Sequence, residues 1–134
     1  IMSEGFKLEI VNPEKSFLSK DGVSEVVVPA FEGDMGILKD HISIISFLRP
    51  GLLRIIDSKS SEETYYVEDG IIEFKNNCLS VLTSNIFDIK KIDKNKVRDI
   101  LVKAEKEGQN PDISDQAKYL VNHKIEVLKS LTLN

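Results

Sequence analysis

Apolar and polar residues alternate without a break from Phe6 to Ile10, with Phe6, Leu8 and Ile10 on one face and Lys7 and Glu9 on the other. A period of two is the mark of a half-buried strand. Short apolar runs recur at VSEVVVP (23–29), GLLRIID (51–57), TYYVEDG (64–70), IIEFK (71–75) and CLSVLTSNIF (78–87). Turn signals separate them. Asp21-Gly22 predicts a hairpin turn before Val23, and Asn76-Asn77 predicts a tight turn before Cys78. Pro29 predicts the end of its run, because proline cannot donate to a strand ladder. SKSSEE (58–63) ends the run before it. Short strands punctuated by turns predict a β-sandwich or barrel.

The period changes near Ile92. Val97, Ile100, Leu101 and Ala104 fall at helical spacing, with Asp93 as the N-cap and Gly108 as the residue just past the end. QNPD (109–112) breaks the chain, and Asp112 or Ser114 caps a second helix whose apolar face carries Ala117, Leu120, Val121, Leu128 and Leu131. So short a connection predicts an antiparallel helical hairpin. The fold class is therefore α+β: a β-sandwich over 1–88, then a two-helix hairpin over 89–134. About 40 residues of hairpin lie near the lower limit of independent stability, so it must dock on the sandwich or on a partner. That makes it a candidate for a moving element.

Charge sharpens this division. The chain of 134 residues carries a net charge of −4. Residues 1–88 hold 8 basic and 15 acidic side chains, whereas residues 89–134 hold 10 basic and 7 acidic. An acidic body therefore carries a basic tail, suited to intramolecular attraction or to an acidic partner. Nothing approaches the run of about 18 apolar residues that spans a membrane, and the start shows no secretory signal pattern. Ile1, ahead of Met2, reads as a remnant of expression. Cys78 is the single cysteine, which excludes an intrachain disulfide and a cysteine-built zinc site. Its apolar surroundings predict a buried structural thiol.

Chemistry concentrates between Pro29 and Ile55. Glu32, Asp34, Asp40 and His41 lie within ten residues. One imidazole with no second nearby makes a poor metal or acid/base site, although a hydrolase using His41 with Asp34 or Asp40 is a formal alternative. EGDMG (32–36) lacks the Walker and dinucleotide spacings, and its acids would repel phosphate. Nucleic acid is disfavoured, because no basic patch is interleaved with aromatics. Gly33 and Gly36 permit positive φ or close backbone approach, and Met35, Ile37 and Leu38 supply apolar contact beside carboxylates. This describes either a surface that another protein grips or a strand-turn-strand with its apolar residues inward. A small ligand-binding β-sandwich with a helical appendage is a further alternative.

The ordered set Pro29, Glu32-Gly33, Gly36-Ile37, His41, then Leu48, Pro50-Gly51 and Ile55, preceded by VNPEKSF (11–17), resembles the epsilon subunits of bacterial F-type ATP synthases, a family whose mitochondrial members are called delta. Lys39 and Ser43 stand where that family usually has proline, and Asp69-Gly70 where it has two glycines. The resemblance implies a sandwich of about ten strands followed by two helices. It implies a non-catalytic central-stalk rotor subunit, held by the gamma subunit and touching the c-ring, without membrane insertion, at the cytoplasmic face of the bacterial inner membrane. It points to Glu32, Gly33, Asp34, Met35, Gly36 and His41 as the c-ring and stalk interface. It also implies helices that extend to the catalytic alpha and beta subunits and inhibit ATP hydrolysis, with Lys94, Lys96, Arg98, Lys103, Lys118, Lys124 and Lys129 as their basic contacts. Some relatives bind ATP through a motif of the form I-D-x-x-R-A. Here Ile92 and Asp93 remain, but Lys96 and Val97 replace its last two residues. Lysine cannot reproduce the bidentate guanidinium fork, so Ile92, Asp93 and Lys96 are expected to bind ATP weakly or not at all, and no cofactor is expected.

Overall fold

The computed structural model describes residues 5–133 apart from the Lys15 side chain; Ile1 and Met2 lie outside the described residues. Nine strands follow in chain order: β1 (Phe6–Asn12), β2 (Lys15–Ala30), β3 (Gly33–Leu38), β4 (Ile44–Leu48), β5 (Gly51–Asp57), β6 (Glu62–Val67), β7 (Gly70–Lys75), β8 (Cys78–Thr83) and β9 (Ile86–Asp88). A single 3-10 turn at Ile89–Lys91 leads into α1 (Lys94–Gly108) and α2 (Asp115–Thr132).

The strands form two facing layers joined through β2. One layer runs β2-β1-β8-β7-β4, with β1 and β8 parallel; the other runs β3-β2-β5-β6-β9. The alternation read from the sequence is the alternation of burial: Phe6, Leu8 and Ile10 are 3%, 0% and 0% exposed. They meet Val26, Val28, Leu53 and Ile55 from the other layer, and Ile72 and Phe74 from their own, in one core.

Two predicted boundaries fall inside β2. Asp21-Gly22 does not turn the chain; β2 runs through it for 16 residues. Gly22 takes φ 68°, and the pairing of β2 slips against β1 between Lys20 and Val23 and against β5 just beyond, between Val23 and Glu25. A positive φ can make a bulge as readily as a turn, and here it bends one strand from one layer into the other. Counting β2 in both layers recovers the ten strands implied above. Pro29 does not end β2 either. It sits after the last β2–β5 pair, Val27 with Arg54, and before Ala30 pairs Leu48 of β4. The ladder changes partner at that point, so a missing N–H is tolerated. Asn76-Asn77 does turn, with φ 51° and 53° at its two central residues. Cys78 opens β8 and is only partly buried, which corrects the reading of a buried thiol.

The helices start as read. The Asp93 carboxylate accepts from Asn95 N–H at 2.9 Å, and Ser114 Oγ accepts from Ala117 N–H at 3.1 Å. Gly108 is the last residue of α1 rather than the one past it, and its φ is not positive. It faces α2, where a Cβ would lie 3.3 Å from Val121 Cγ1. The glycine therefore serves close helix approach.

Candidate functional site

The acidic residues singled out above do not form one cluster. Glu32 lies in the turn between β2 and β3, and Asp34 follows at the start of β3; both are exposed. Gly33 holds φ 147° there, a conformation that an L side chain rarely adopts. Met35 packs partly against the sandwich core, and Gly36 is an ordinary strand residue opposite Val27. His41 lies beyond the other end of β3, roughly 20 Å along a six-residue strand. Its N–H donates to Leu38 O at 3.1 Å, its Nδ1 lies 2.7 Å from Ile42 O, and its ring meets Phe74 edge-on. Asp40 and Asn77 bind each other reciprocally: Asp40 N–H donates to Asn77 Oδ1 at 2.7 Å, and Asn77 Nδ2 donates to Asp40 Oδ1 at 2.9 Å. Asp34 and His41 therefore cannot act together, and Asp40 is engaged in clipping two loops. Among the described residues no group of three or more His, Cys, Asp or Glu side chains could hold a metal ion.

The structure adds a feature that the sequence reading missed. Phe47 of β4 pairs Ile71 of β7, Ile71 pairs Leu82 of β8, and Leu82 pairs Val11 of β1. All four side chains point outward, and Phe47 is 65% exposed; Ile45, two residues before Phe47, is 70% exposed. An apolar row thus crosses four strands on the outer face of one layer. Its signal was present in the sequence: IISFL and GIIEF carry apolar residues at positions where strict alternation would place polar ones. Such runs read equally well as buried strands, which hid the row. At its Phe47–Ile71 end the row opens into a cavity of about 350 Å³ closed by Gln116 and Leu120 of α2.

The other layer is covered by the hairpin. Leu52, Tyr66 and Phe87 project from β5, β6 and β9 against Val97, Ile100, Leu101 and Leu128. The rings of Tyr66 and Phe87 stack with centroids 4.7 Å apart. Burial, with the nearby Glu68 charge, pushes the Tyr66 phenol far above its usual range, so it stays protonated and donates to Glu68 Oε2 at 2.8 Å. The same oxygen receives Lys124 Nζ at 3.0 Å, with both side chains largely covered. Farther along, Tyr119 of α2 donates through its hydroxyl to the Phe31 carbonyl, and Arg49 Nη1 donates to that hydroxyl at 3.0 Å. The turn carrying Glu32 and the second helix are therefore tied directly together.

Of the basic helix residues, Lys94, Lys96, Arg98, Lys103, Lys118 and Lys129 are exposed. Lys124 is not available in the same way, because it holds α2 to Glu68. Ile92, Asp93 and Lys96 border a shallow groove of about 260 Å³ with Phe87 and Val97. Within it the Asp93 carboxylate is occupied as the α1 cap.

Residues 5–89 match the family model for the ATP synthase delta/epsilon chain β-sandwich domain. Over 97% of its length the chain is 71% identical to the ATP synthase epsilon chain of Pelagibacter ubique, covering 99% of that protein. It is 28% identical to the mitochondrial ATP synthase subunit delta of Schizosaccharomyces pombe, over 96% of this chain and 77% of the relative. Its fold is similar to a chain of the Euglena gracilis mitochondrial ATP synthase, with a TM-score of 0.73 at 20% identity over 98% of this chain and 81% of that one. A chain of the Tetrahymena thermophila central stalk and c-ring gives a TM-score of 0.67 at 18% identity, over 98% and 99%. With more than half of its residues matched by the family model and nearly all of them by so close a relative, the chain belongs to the ATP synthase delta/epsilon family.

Proposed function

We propose that this chain is the epsilon subunit of an F-type proton-translocating ATP synthase. It acts as a rotor subunit of the central stalk that helps couple proton-driven rotation to ATP synthesis and catalyses no reaction itself. The observation that carries this reading is the apolar row Val11–Leu82–Ile71–Phe47. A contiguous exposed apolar strip on an otherwise acidic sandwich has the character of a docking face. We assign it to the gamma subunit. The exposed turn with Glu32, Gly33 and Asp34 projects from the end of the sandwich and is assigned to the c-ring loops. Met35, Gly36 and His41 complete the assigned interface, although Met35 also packs partly against the sandwich core. No helix of the described residues is long and apolar enough to cross a membrane. We assign the chain a peripheral position at the cytoplasmic face of the inner membrane, an assignment that rests on its family alone.

The hairpin is the proposed regulatory arm. Its exposed lysines and Arg98 would meet acidic surfaces of the alpha and beta subunits when it extends, slowing ATP hydrolysis. Domain limits of 1–88 and 89–134 follow from this division of labour, since β9 ends at Asp88. ATP is not part of the reading. Lys96 lacks the guanidinium fork, and the Asp93 carboxylate caps its own helix.

The test mixes the purified chain with the matching catalytic head that carries gamma and lacks this subunit. Co-migration on a sizing column with a reduced ATPase rate is expected. Phe47→Asp with Ile71→Asp should abolish co-migration while leaving the fold intact, as read by circular dichroism. Co-migration of that double variant would refute the assigned face. An unchanged ATPase rate on truncation after Ile89 would refute the inhibitory arm.

A further inference from the structure

One contact in the hairpin dock depends on which atom holds a proton. Arg49, at the turn between β4 and β5, lies with Nη1 3.3 Å from His123 Nε2 on α2. A guanidinium has five donors and no acceptor. The contact is therefore a hydrogen bond only while Nε2 keeps its lone pair, that is, while the imidazole is neutral with its proton on Nδ1. The surroundings reinforce that state. The His123 ring stands edge-on to Tyr119 at 4.5 Å, and Tyr119 in turn lies 4.7 Å from Phe31. The imidazole, Arg49 and the Tyr119 hydroxyl thus form one polar knot between α2 and the acidic turn.

The charges around the ring can be named element by element. The sandwich presents Arg49, which disfavours a second cation. On α2 itself, Glu126 favours one, and Lys124 is engaged by Glu68 of the loop after β6. α1 meets this part of α2 through Gly108 at Val121 and Ile125, a contact that brings no charge. Burial first, and Arg49 second, hold the imidazole below its ordinary value of 6.5, with Glu126 opposing.

We infer that His123 is a proton-operated latch. When neutral it accepts from Arg49 and keeps α2 seated on the sandwich; when protonated it turns a second donor and a second positive charge toward the guanidinium, and α2 loosens. The latch rests on the reading of the hairpin as a movable arm. Its sign follows from linkage. In the released hairpin the imidazole returns toward its ordinary value, so the released form takes up the proton more readily. Docking is then fully favoured above pH 6.5 and weakens as pH falls through that value toward the lower one of the docked state. Each unit of depression corresponds to a tenfold change in the docking equilibrium.

The experiment follows backbone amide exchange in the full chain by NMR, between about pH 7.5 and about pH 5.5, the range over which histidine changes charge. Protection factors corrected for intrinsic rates are compared for Val121 and Leu128 of α2 and for Ile55 and Ile72 of the sandwich. The expected result is a several-fold loss of α2 protection on acidification with the sandwich unchanged. His123→Gln, which keeps an acceptor and cannot be protonated in this range, should be flat. Constant α2 protection in the native chain, or an equal loss in His123→Gln, overturns the latch. A second measurement guards against a variant that fails to dock. The His123 ring is titrated in the native chain and in Arg49→Gln, with the His41 ring as internal reference. Its midpoint should rise in the variant, and an unmoved midpoint overturns the role of Arg49. These readouts need no catalytic head. The regulatory reading falls instead on the ATPase rate of the truncated chain, so the two failures are distinguishable.

Discussion

The two apolar clusters of this molecule are built on different scales. The sandwich core gathers seventeen buried side chains from all nine strands, whereas the hairpin dock has three, Tyr66, Val97 and Leu128, surrounded by partly covered neighbours. Burial of a large aliphatic side chain contributes about 1.5–3 kcal/mol, so the first cluster holds a fold and the second holds a contact. The dock compensates with polar pairs: Lys124 to Glu68, Tyr66 to Glu68, Arg49 to Tyr119 and His123. Such pairs are directional and respond to pH through their charges, whereas apolar burial is not directional and carries no proton. The body and the hairpin are therefore distinguished by what joins them.

The comparison breaks most sharply with one substitution made in each region. Leu8→Ala, at a side chain fully buried in the sandwich, should destabilise the whole chain by about 2–5 kcal/mol in denaturant unfolding. All probes should then shift together. Leu128→Ala, equally buried but in the dock, should cost somewhat less, about 2–4 kcal/mol, and that loss should fall on the hairpin alone. Helical ellipticity would then be lost before the sandwich amides, those of the buried Ile55 and Ile72 among them, lose their exchange protection. A single coincident transition in Leu128→Ala would show that the arm and the body are one cooperative unit.

Glu68→Gln sharpens the same contrast on its polar side. It removes the charge that Lys124 Nζ and the Tyr66 hydroxyl share. Lys124 keeps 21% of its side chain exposed, so water recovers part of the loss, and about 1–2 kcal/mol of docking should go. The effect should appear in hydrogen exchange of α2 and leave the sandwich amides unmoved.

Sequence reading reached the sandwich far better than the dock, and the reason is distance along the chain. Alternation is a local signal, so Phe6, Leu8 and Ile10 could be assigned to the core from five residues of text. Asn76-Asn77 and the caps at Asp93 and Ser114 are equally local. Asp21-Gly22 shows the limit of such signals: one positive φ fits a bulge and a turn alike, and only the long-range pairing of β2 decides. The dock joins Arg49 to His123 and Glu68 to Lys124 across more than fifty residues with no periodicity to announce them. Proximity in sequence also misled, by grouping His41 with Asp34 when β3 holds them at opposite ends.

The smallest effect concerns Asp93, where cap and ligand readings make different demands on one carboxylate. A cap needs an oxygen that accepts from the Asn95 amide, and asparagine supplies that as well as aspartate. A nucleotide site built on the motif that Ile92 and Asp93 resemble would need the charged carboxylate, and an amide would not replace it. Asp93→Ala should therefore cost about 1 kcal/mol of hairpin stability, seen as a lowered onset of helix melting, while Asp93→Asn should restore nearly all of it. Calorimetric titration with ATP should give no binding heat in the native chain or in either variant. Native-chain binding that Asp93→Asn abolishes would move Asp93 from the helix frame into a ligand site, and the hairpin would then answer to nucleotide as well as to its own contacts.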